Sequence, residues 1–226
     1  MNVEADQSEV QQQGEASEQP REEQQAPAAV QPNFQQIPSL AIKVITNPVE
    51  FYQQMPRSGG LLDPLIFMVV LSVVAGVLSA VLSTMGLGLG GAMAGGLIAI
   101  IMVPIFVVIF GFVGAGIAYV IWNIMGSQEN FETAFRCVAY TAAIAPITAV
   151  LKLIPYLGSF ASALWPVALL AIASIHVHRR SKQASWIVFG VIGAILALIS
   201  VSGEHTSRQL VSGMDDWAEI IERQQQ

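Results

Sequence analysis

The residues with the clearest chemical potential are two histidines and three cations within one short segment. Positions 175–184 read IHVHRRSKQA, in which His176 and His178 precede Arg179, Arg180 and Lys182. Histidines at alternate positions point to different faces of a helix, whereas a zinc-binding pair on a helix is spaced by four residues. No carboxylate or cysteine lies nearby along the chain to complete a metal site. The segment therefore predicts no bound metal and no cofactor.

Two further patterns match chemical motifs formally, and both favour a simpler interpretation. Residues 86–91 read GLGLGG, but a dinucleotide-binding loop follows a short strand and needs an acidic residue about twenty positions later. Here a long apolar run precedes the glycines, which favours a turn between membrane spans. Cys137 lies beside Arg136 with no histidine close in sequence, which favours a buried structural thiol over a nucleophile. We therefore predict no catalytic residue.

The composition is typical of a membrane protein. Hydrophobic residues make up 54% of the 226 residues and charged residues 12%, whereas globular domains carry about 25% charged residues. A nucleic-acid-binding protein would present a basic face, but this chain has a net charge of −6 and one short basic cluster. We therefore predict contacts with membrane lipids and no binding of nucleic acid.

Five continuous apolar runs predict the fold class. They cover residues 64–84, 97–125, 134–151, 160–175 and 184–201. A membrane-spanning helix needs about 20 apolar residues, and continuous rather than alternating hydrophobicity excludes a β-barrel. The sequence therefore predicts an all-α, polytopic integral membrane protein with about five transmembrane helices. One alternative stays open, in which Pro104 breaks the second run into two crossings.

The distribution of cations predicts the orientation, because cytoplasmic segments carry an excess of Lys and Arg. With five spans and a cytoplasmic N-terminus, the inner segments hold Arg21, Lys43, Arg57, Arg136, Arg179, Arg180 and Lys182, and the outer segments hold Lys152, Arg208 and Arg223. An extra crossing would place Arg179, Arg180 and Lys182 outside, so five spans are favoured. These three residues are predicted to fix the topology and to touch lipid headgroups, each gaining about 1 kcal/mol near an anionic leaflet.

The predicted domain organisation has three parts. Residues 1–38 are rich in Gln, Glu, Ala and Pro, so they are predicted to be a disordered tail that cannot bury enough apolar surface to fold. Residues 39–203 form the membrane domain with a juxtamembrane segment, which Pro48 splits into two short pieces at the membrane interface or against the bundle. Residues 204–226 are predicted to be a short acidic amphipathic helix.

Small residues recur at helical spacing in two of the predicted spans. Gly111 and Gly114 lie in the second span, and Gly190 lies in the fifth. Small side chains let helices approach closely in lipid, so these glycines predict packing within the bundle. The same small-residue surfaces are also suited to contact between two copies of the chain, so a homo-oligomer is kept as an alternative.

A series of segments resembles a known family through its order and spacing. The segments are FETAF at 131–135, AYTAAIAP at 139–146, IPYLG at 154–158, LWPVAL at 164–169 and HRRSKQA at 178–184, preceded by NPVEF at 47–51 and DPLIF at 63–67. Over residues 40–202 the chain resembles the Yip domain family of integral membrane proteins, named for interaction with Ypt/Rab GTPases. The motif residues to which we assign a structural role are Asp63, Pro64, Tyr140, Pro146, Pro155, Gly158 and Trp165.

The resemblance implies a five-helix membrane domain with a cytoplasmic N-terminus. Eukaryotic members act in early secretory and Golgi traffic and bind Rab GTPases through cytoplasmic parts. This chain resembles bacterial members, with compact loops and a short tail, which implies a bacterial cytoplasmic (inner) membrane. Its Gln/Glu-rich tail departs from the eukaryotic pattern and puts GTPase binding in doubt. Pro146 predicts a kink in the third span, and Pro155 with Gly158 predicts a turn after it.

The sequence favours a non-enzymatic scaffold or membrane-organising factor of the trafficking type that acts through lipid and protein contacts. An unknown membrane or peripheral protein partner is expected to bind residues 1–57 or residues 204–226. The alternative function is a small transporter or channel, with a path along the kinked second and third helices.

Overall fold

The computed structural model describes residues 34–85 and 93–224, with side chains at these positions except 93–99, 211 and 214–222. Most of the predicted tail, up to residue 33, and the turn predicted at residues 86–91 lie outside the described residues. The described chain begins as a 3₁₀ helix at Phe34–Gln36 and continues directly into an α-helix. Helical structure therefore starts four residues before the predicted end of the tail.

The described residues form helices joined by short connections. They are α1 (Ile37–Thr46), α2 (Pro48–Gln54), α3 (Leu62–Thr84), α4 (Met93–Ile124), α5 (Phe131–Tyr140), a 3₁₀ segment (Thr141–Ile144), α6 (Ala145–Leu151), α7 (Leu157–His176) and α8 (Lys182–Gln224). Five stretches of this part of the chain are long and apolar enough to cross a membrane: Leu62–Thr84, Ile100–Ile124, Phe131–Leu151, Leu157–His176 and Lys182–Leu210. The predicted all-α, five-span fold class is confirmed.

The second apolar run forms a single helix and is not broken in two, because α4 runs without interruption through Pro104. The third span is different, since the 3₁₀ segment Thr141–Ile144 separates α5 from α6 and Pro146 occupies the first turn of α6. A proline has no N–H for the carbonyl four residues earlier, and its ring collides with that carbonyl. The departure from regular α geometry therefore falls where the sequence placed a kink.

The spans alternate in direction, so the bundle has two ends. We call the end formed by residues 55–61, 125–130 and 177–181 the hairpin end, and the other, formed by residues 152–156 and 200–208, the opposite end. The main helix contacts are α3 with α4, α7 with α8, and α4 with α5. Pro48 divides the juxtamembrane segment into α1 and α2 as predicted, and both pack on the bundle, α1 beside the 3₁₀ segment and α2 beside α7.

The fifth span differs from the prediction, which expected a separate helix after Gly203. The backbone of α8 instead continues unbroken from Lys182 to Gln224. Gly203 lies in open space, and an exposed helical glycine costs only about 1 kcal/mol relative to alanine. The next turn is held in place because the Glu204 carboxylate accepts hydrogen bonds from the Tyr156 N–H, at 2.9 Å, and from the Ser159 hydroxyl.

Candidate functional site at the hairpin end

The hairpin end is organised around His178, which is 2% exposed. Its ring stacks on the indole of Trp122, with centroids 3.7 Å apart and planes inclined by 17°. Its Nδ1 lies 2.8 Å from the Ser127 hydroxyl, and its Nε2 lies 3.9 Å from the Cys137 sulfur. One side chain thus joins the end of α4, the following loop, α5 and the α7–α8 connection.

The sequence did not predict this cluster, because no cysteine lies close to the histidines along the chain. Cys137 and His178 are 41 positions apart along the chain, so no local spacing could reveal the contact. The thiol is buried, which agrees with the structural role expected for it. Within the described residues, no group of three or more His, Cys, Asp or Glu side chains converges in a way that could hold a metal ion.

The electrostatic surroundings keep the imidazole of His178 neutral. Burial, and then the positive charges of Arg57 and Arg180, lower the pKa of His178 to about 3. The Arg180 guanidinium donates hydrogen bonds to the carbonyls of Met125, at 2.9 Å, and of His178, at 2.8 Å. A neutral, enclosed ring of this kind packs between segments of the chain and forms hydrogen bonds that join them.

The juxtamembrane helix α2 is attached to this end by aromatic contacts and one hydrogen bond. The rings of Phe51, Tyr140 and Phe67 form an edge-to-face series with centroids 5.0 and 5.1 Å apart. The hydroxyl of Tyr52 donates to the carbonyl of Cys137 at 3.2 Å. Burial raises the pKa of Tyr52, so this hydroxyl keeps its proton and remains a donor. Tyr140, assigned a structural role from the motif, lies within this series.

Charged residues attach the segment between α2 and α3 to the first turns of α5. Arg57 pairs with Glu129 at 2.6 Å, and the hydroxyl of Thr133 donates to the carbonyl of Arg57 at 3.0 Å. The buried guanidinium of Arg136 donates to the carbonyl of Gly60 at 2.6 Å, and Glu132 accepts from the Gly60 N–H at 2.7 Å. Buried charges are tolerated when paired in this way. The amide oxygen of Asn130 caps α5 by accepting from the Thr133 N–H.

The three cations of the hairpin have different surroundings. Arg179 and Lys182 are exposed, whereas Arg180 is half-buried and bonded to backbone carbonyls. Arg179 has a φ of 54°, a left-handed conformation that reverses the chain between α7 and α8. Contact with lipid headgroups stays a prediction for all three, and two of them have side chains directed outward for it.

The other motif residues are distributed through the bundle. Asp63 and Pro64 lie in the first turn of α3, and Trp165 is half-buried on α7 against the core. Pro155 lies in the turn between α6 and α7 at the opposite end. Gly158 is not in that turn but is the second residue of α7. Of this set, Tyr140 lies in the aromatic series that holds α2, and Asp63 and Pro64 directly follow residues 55–61 of the hairpin end.

The glycines that were predicted to pack in the bundle differ in how closely neighbouring atoms approach them. A Cβ on Gly111 would lie 2.7 Å from the Met68 sulfur, and one on Gly114 would lie 3.9 Å from Val138. A Cβ on Gly190 would meet nothing within 4 Å, whereas one on Gly193 would lie 3.3 Å from Val167. On α8 the close approach to α7 thus occurs at Gly193 and not at Gly190.

Comparison with protein families matches residues 42–202 to the Yip1 domain. The chain belongs to the Yip1 domain family. The matched region begins within α1, covers the first four spans and most of the fifth, and ends in α8 two residues before Glu204. The chain is therefore an integral, multi-pass membrane protein of this family. Comparison with curated proteins and with solved structures gave no match.

Proposed function

We propose that this Yip1-domain protein is a non-enzymatic scaffold or membrane-organising factor of the bacterial cytoplasmic membrane, with its N-terminus in the cytoplasm. The observation that carries the proposal is the attachment of α2 and the segment after it to the hairpin end. The Tyr52 hydrogen bond, the aromatic series around Tyr140 and the Arg57–Glu129 ion pair are three separate connections. They hold the segment that follows residues 1–33 in one position on the bundle.

The attached segment also presents apolar side chains outward. Ile37, Ala41 and Val44 of α1 are buried against the bundle, whereas Phe34, Ile42 and Val49 are 58%, 60% and 42% exposed. Lys43 and Glu50 form an ion pair of 3.1 Å beside these apolar residues. An apolar surface flanked by charges suits a protein partner or the interfacial region of a bilayer. A scaffold needs such a surface in a fixed position.

Photocrosslinking from this surface tests the proposal. A photoreactive residue at Ile42 or Val49 is expected to form a crosslink to a protein in the native membrane. The matched control is Val113, which is 53% exposed on the second span and is expected to crosslink lipid. Removal of residues 1–33 and, separately, of residues 211–226 then shows which terminal segment the partner also requires. If Ile42 and Val49 give the same products as Val113, and both truncations retain every co-purifying protein, the scaffold proposal fails.

One observation supports the transporter alternative. A cavity of about 400 Å³ lies between α4 and the third span, next to the 3₁₀ segment, with Thr141 and Thr148 in its wall. Most of its lining is aliphatic or aromatic, including Met68, Val107 and Phe110, which suits a hydrocarbon chain better than an ion. Ion or solute flux into liposomes containing the purified chain would favour this alternative over the scaffold.

A further inference from the structure

The opposite end of the bundle contains a polar cavity of about 390 Å³. It lies between the end of α3, the α6–α7 turn, the start of α7 and the middle of α8. Its polar lining residues are Ser79, Ser83, Lys152, Ser159, Ser162, Ser200 and Glu204. Cavities that bind small ligands commonly have about 300–1,000 Å³ and a few convergent polar groups. This cavity meets both criteria.

Three of the lining groups have unused hydrogen-bond donors. Within the described part of the chain, the ammonium of Lys152 and the hydroxyls of Ser83 and Ser200 have no hydrogen-bond or ion-pair partner. The hydroxyls of Ser79 and Ser162, by contrast, donate to backbone carbonyls of their own helices. The unused donors come from α3, α8 and the α6–α7 turn. A group bound among them would therefore be held from three sides.

The charge in the cavity favours an anion. The carboxylate of Glu204 is already occupied, because Tyr156 and Ser159 donate to it and Arg208 pairs with it at 2.6 Å. Glu204 and Arg208 balance each other, so among the described side chains that line the cavity Lys152 leaves one positive charge unbalanced. An ammonium with two hydroxyls matches a phosphate ester, whose charged oxygens each accept hydrogen bonds. A neutral or cationic ligand would offer the Lys152 ammonium no opposite charge.

A second cavity continues the first along the third span and α7. It is the cavity of about 400 Å³ beside the 3₁₀ segment, and Ser162 lines both cavities. Thr148 lines the apolar cavity and Ala149, the next residue, lines the polar one. The polar compartment and the apolar compartment lie one after the other along membrane helices. This arrangement matches an amphiphile, with its head towards the membrane surface and its tail towards the bilayer centre.

We propose that these two cavities form one binding site for an anionic glycerophospholipid. The phosphate lies among Lys152, Ser83 and Ser200, and an acyl chain lies in the compartment lined by Met68, Phe110 and Ile144. The proposal deepens the scaffold function and rests on it, because it gives the lipid contact of that function a defined place. The lipid site and the exposed surface of α1 are built from different elements. Partner crosslinking at Ile42 can therefore fail or succeed independently of lipid binding.

Lipid binding to the purified full chain tests the site. The chain is delipidated in a maltoside detergent and titrated with dioctanoyl-phosphatidylglycerol, dioctanoyl-phosphatidylcholine and glycerol 3-phosphate. Phosphatidylglycerol is expected to bind most tightly, and Lys152→Gln is expected to weaken it about tenfold, since one charge-assisted hydrogen bond is lost. The matched control is Lys152→Arg, which keeps the positive charge at the same position and should largely retain binding. Equal weakening by both substitutions, or none by Lys152→Gln, overturns the site.

A substitution in the apolar compartment distinguishes the two possible sources of the phosphate, a phospholipid and a soluble phosphate ester. Ala142→Phe fills that compartment and is expected to weaken phosphatidylglycerol without changing the response to glycerol 3-phosphate. If glycerol 3-phosphate binds as tightly as the lipid, the site takes a soluble phosphate ester and the lipid assignment is wrong. Should Ala142→Phe fail to fold, the double substitution Ser83→Ala and Ser200→Ala replaces it. These hydroxyls have no partner among the residues that the structure describes, so a loss of lipid affinity supports the site and unchanged affinity contradicts it.

Discussion

Gly158→Ala is expected to lower the free energy of unfolding by about 3 kcal/mol or more, the upper range for overpacking. Gly158 is buried in the first turn of α7, where the chain folds back on the end of α6. A Cβ at this position would lie 2.5 Å from the nitrogen of Lys152 and closer still to its Cα. These are backbone atoms, so no change of rotamer can relieve the overlap. Tyr156, two residues earlier, already has a φ of 62°, which leaves the turn little freedom to adjust.

Gly190→Ala is the matched control, because it makes the same chemical change on α8 where a Cβ would meet nothing within 4 Å. It is expected to be neutral or to stabilise by about 0.5–1 kcal/mol, the ordinary helix preference for alanine over glycine. Thermal unfolding of both variants in detergent can be followed by the reactivity of Cys137, the single cysteine, which is buried in the folded chain. Equal unfolding temperatures for the two variants would contradict the close approach at Gly158.

Acidification from pH 7 to pH 5 is expected to destabilise the chain by about 2 kcal/mol through His178 alone. The unfolded chain has an ordinary histidine pKa of about 6.5, whereas the folded chain holds the pKa of His178 at about 3. Between these values the unfolded state binds a proton that the folded state does not bind. Lowering the pH in this window therefore favours unfolding, and raising it above about 6.5 restores the full stability.

The effect of His178 is measured by the slope of the free energy of unfolding against pH, and not by the absolute free energy of unfolding. In His178→Asn the amide can still face the Ser127 hydroxyl, but the stack on Trp122 is lost at every pH. This variant is expected to be less stable at pH 7 and to lose less stability between pH 7 and pH 5 than the parent. His205→Asn, at an exposed ring on α8, should retain the parental slope. Parallel slopes for His178→Asn and the parent would show that the buried ring is not held neutral.

The five spans could be predicted because each is a continuous run of apolar residues within one segment. Such a run is a local property of the sequence. The disturbance of the third span was equally local, since Pro146 itself removes the helical hydrogen bond. The division of the juxtamembrane segment at Pro48 follows from the same chemistry. For these features no knowledge of the tertiary structure was needed.

The contacts that build the hairpin end could not be predicted because they join distant positions. Cys137 meets His178, and Arg57 meets Glu129, 72 positions further along the chain. The continuation of α8 past Gly203 depends on Glu204 contacting the α6–α7 turn. Likewise, Gly190 and Gly193 are one helical turn apart and look equivalent in sequence, and only the position of α7 decides that Gly193 is the packed one.

The membrane topology of the chain decides whether the hairpin end faces the cytoplasm. Single cysteines are placed at Ser58 and Ser181 of the hairpin end and at Ser212, beyond the fifth span, in a Cys137→Ala background; all three serines are exposed. They are probed with a membrane-impermeant thiol reagent on intact and on opened cells. We expect Ser58→Cys and Ser181→Cys to react only after the cells are opened, whereas Ser212→Cys reacts on intact cells. Protection of Ser212→Cys on intact cells, or reaction of Ser181→Cys there, would contradict a five-span scaffold with its hairpin end in the cytoplasm.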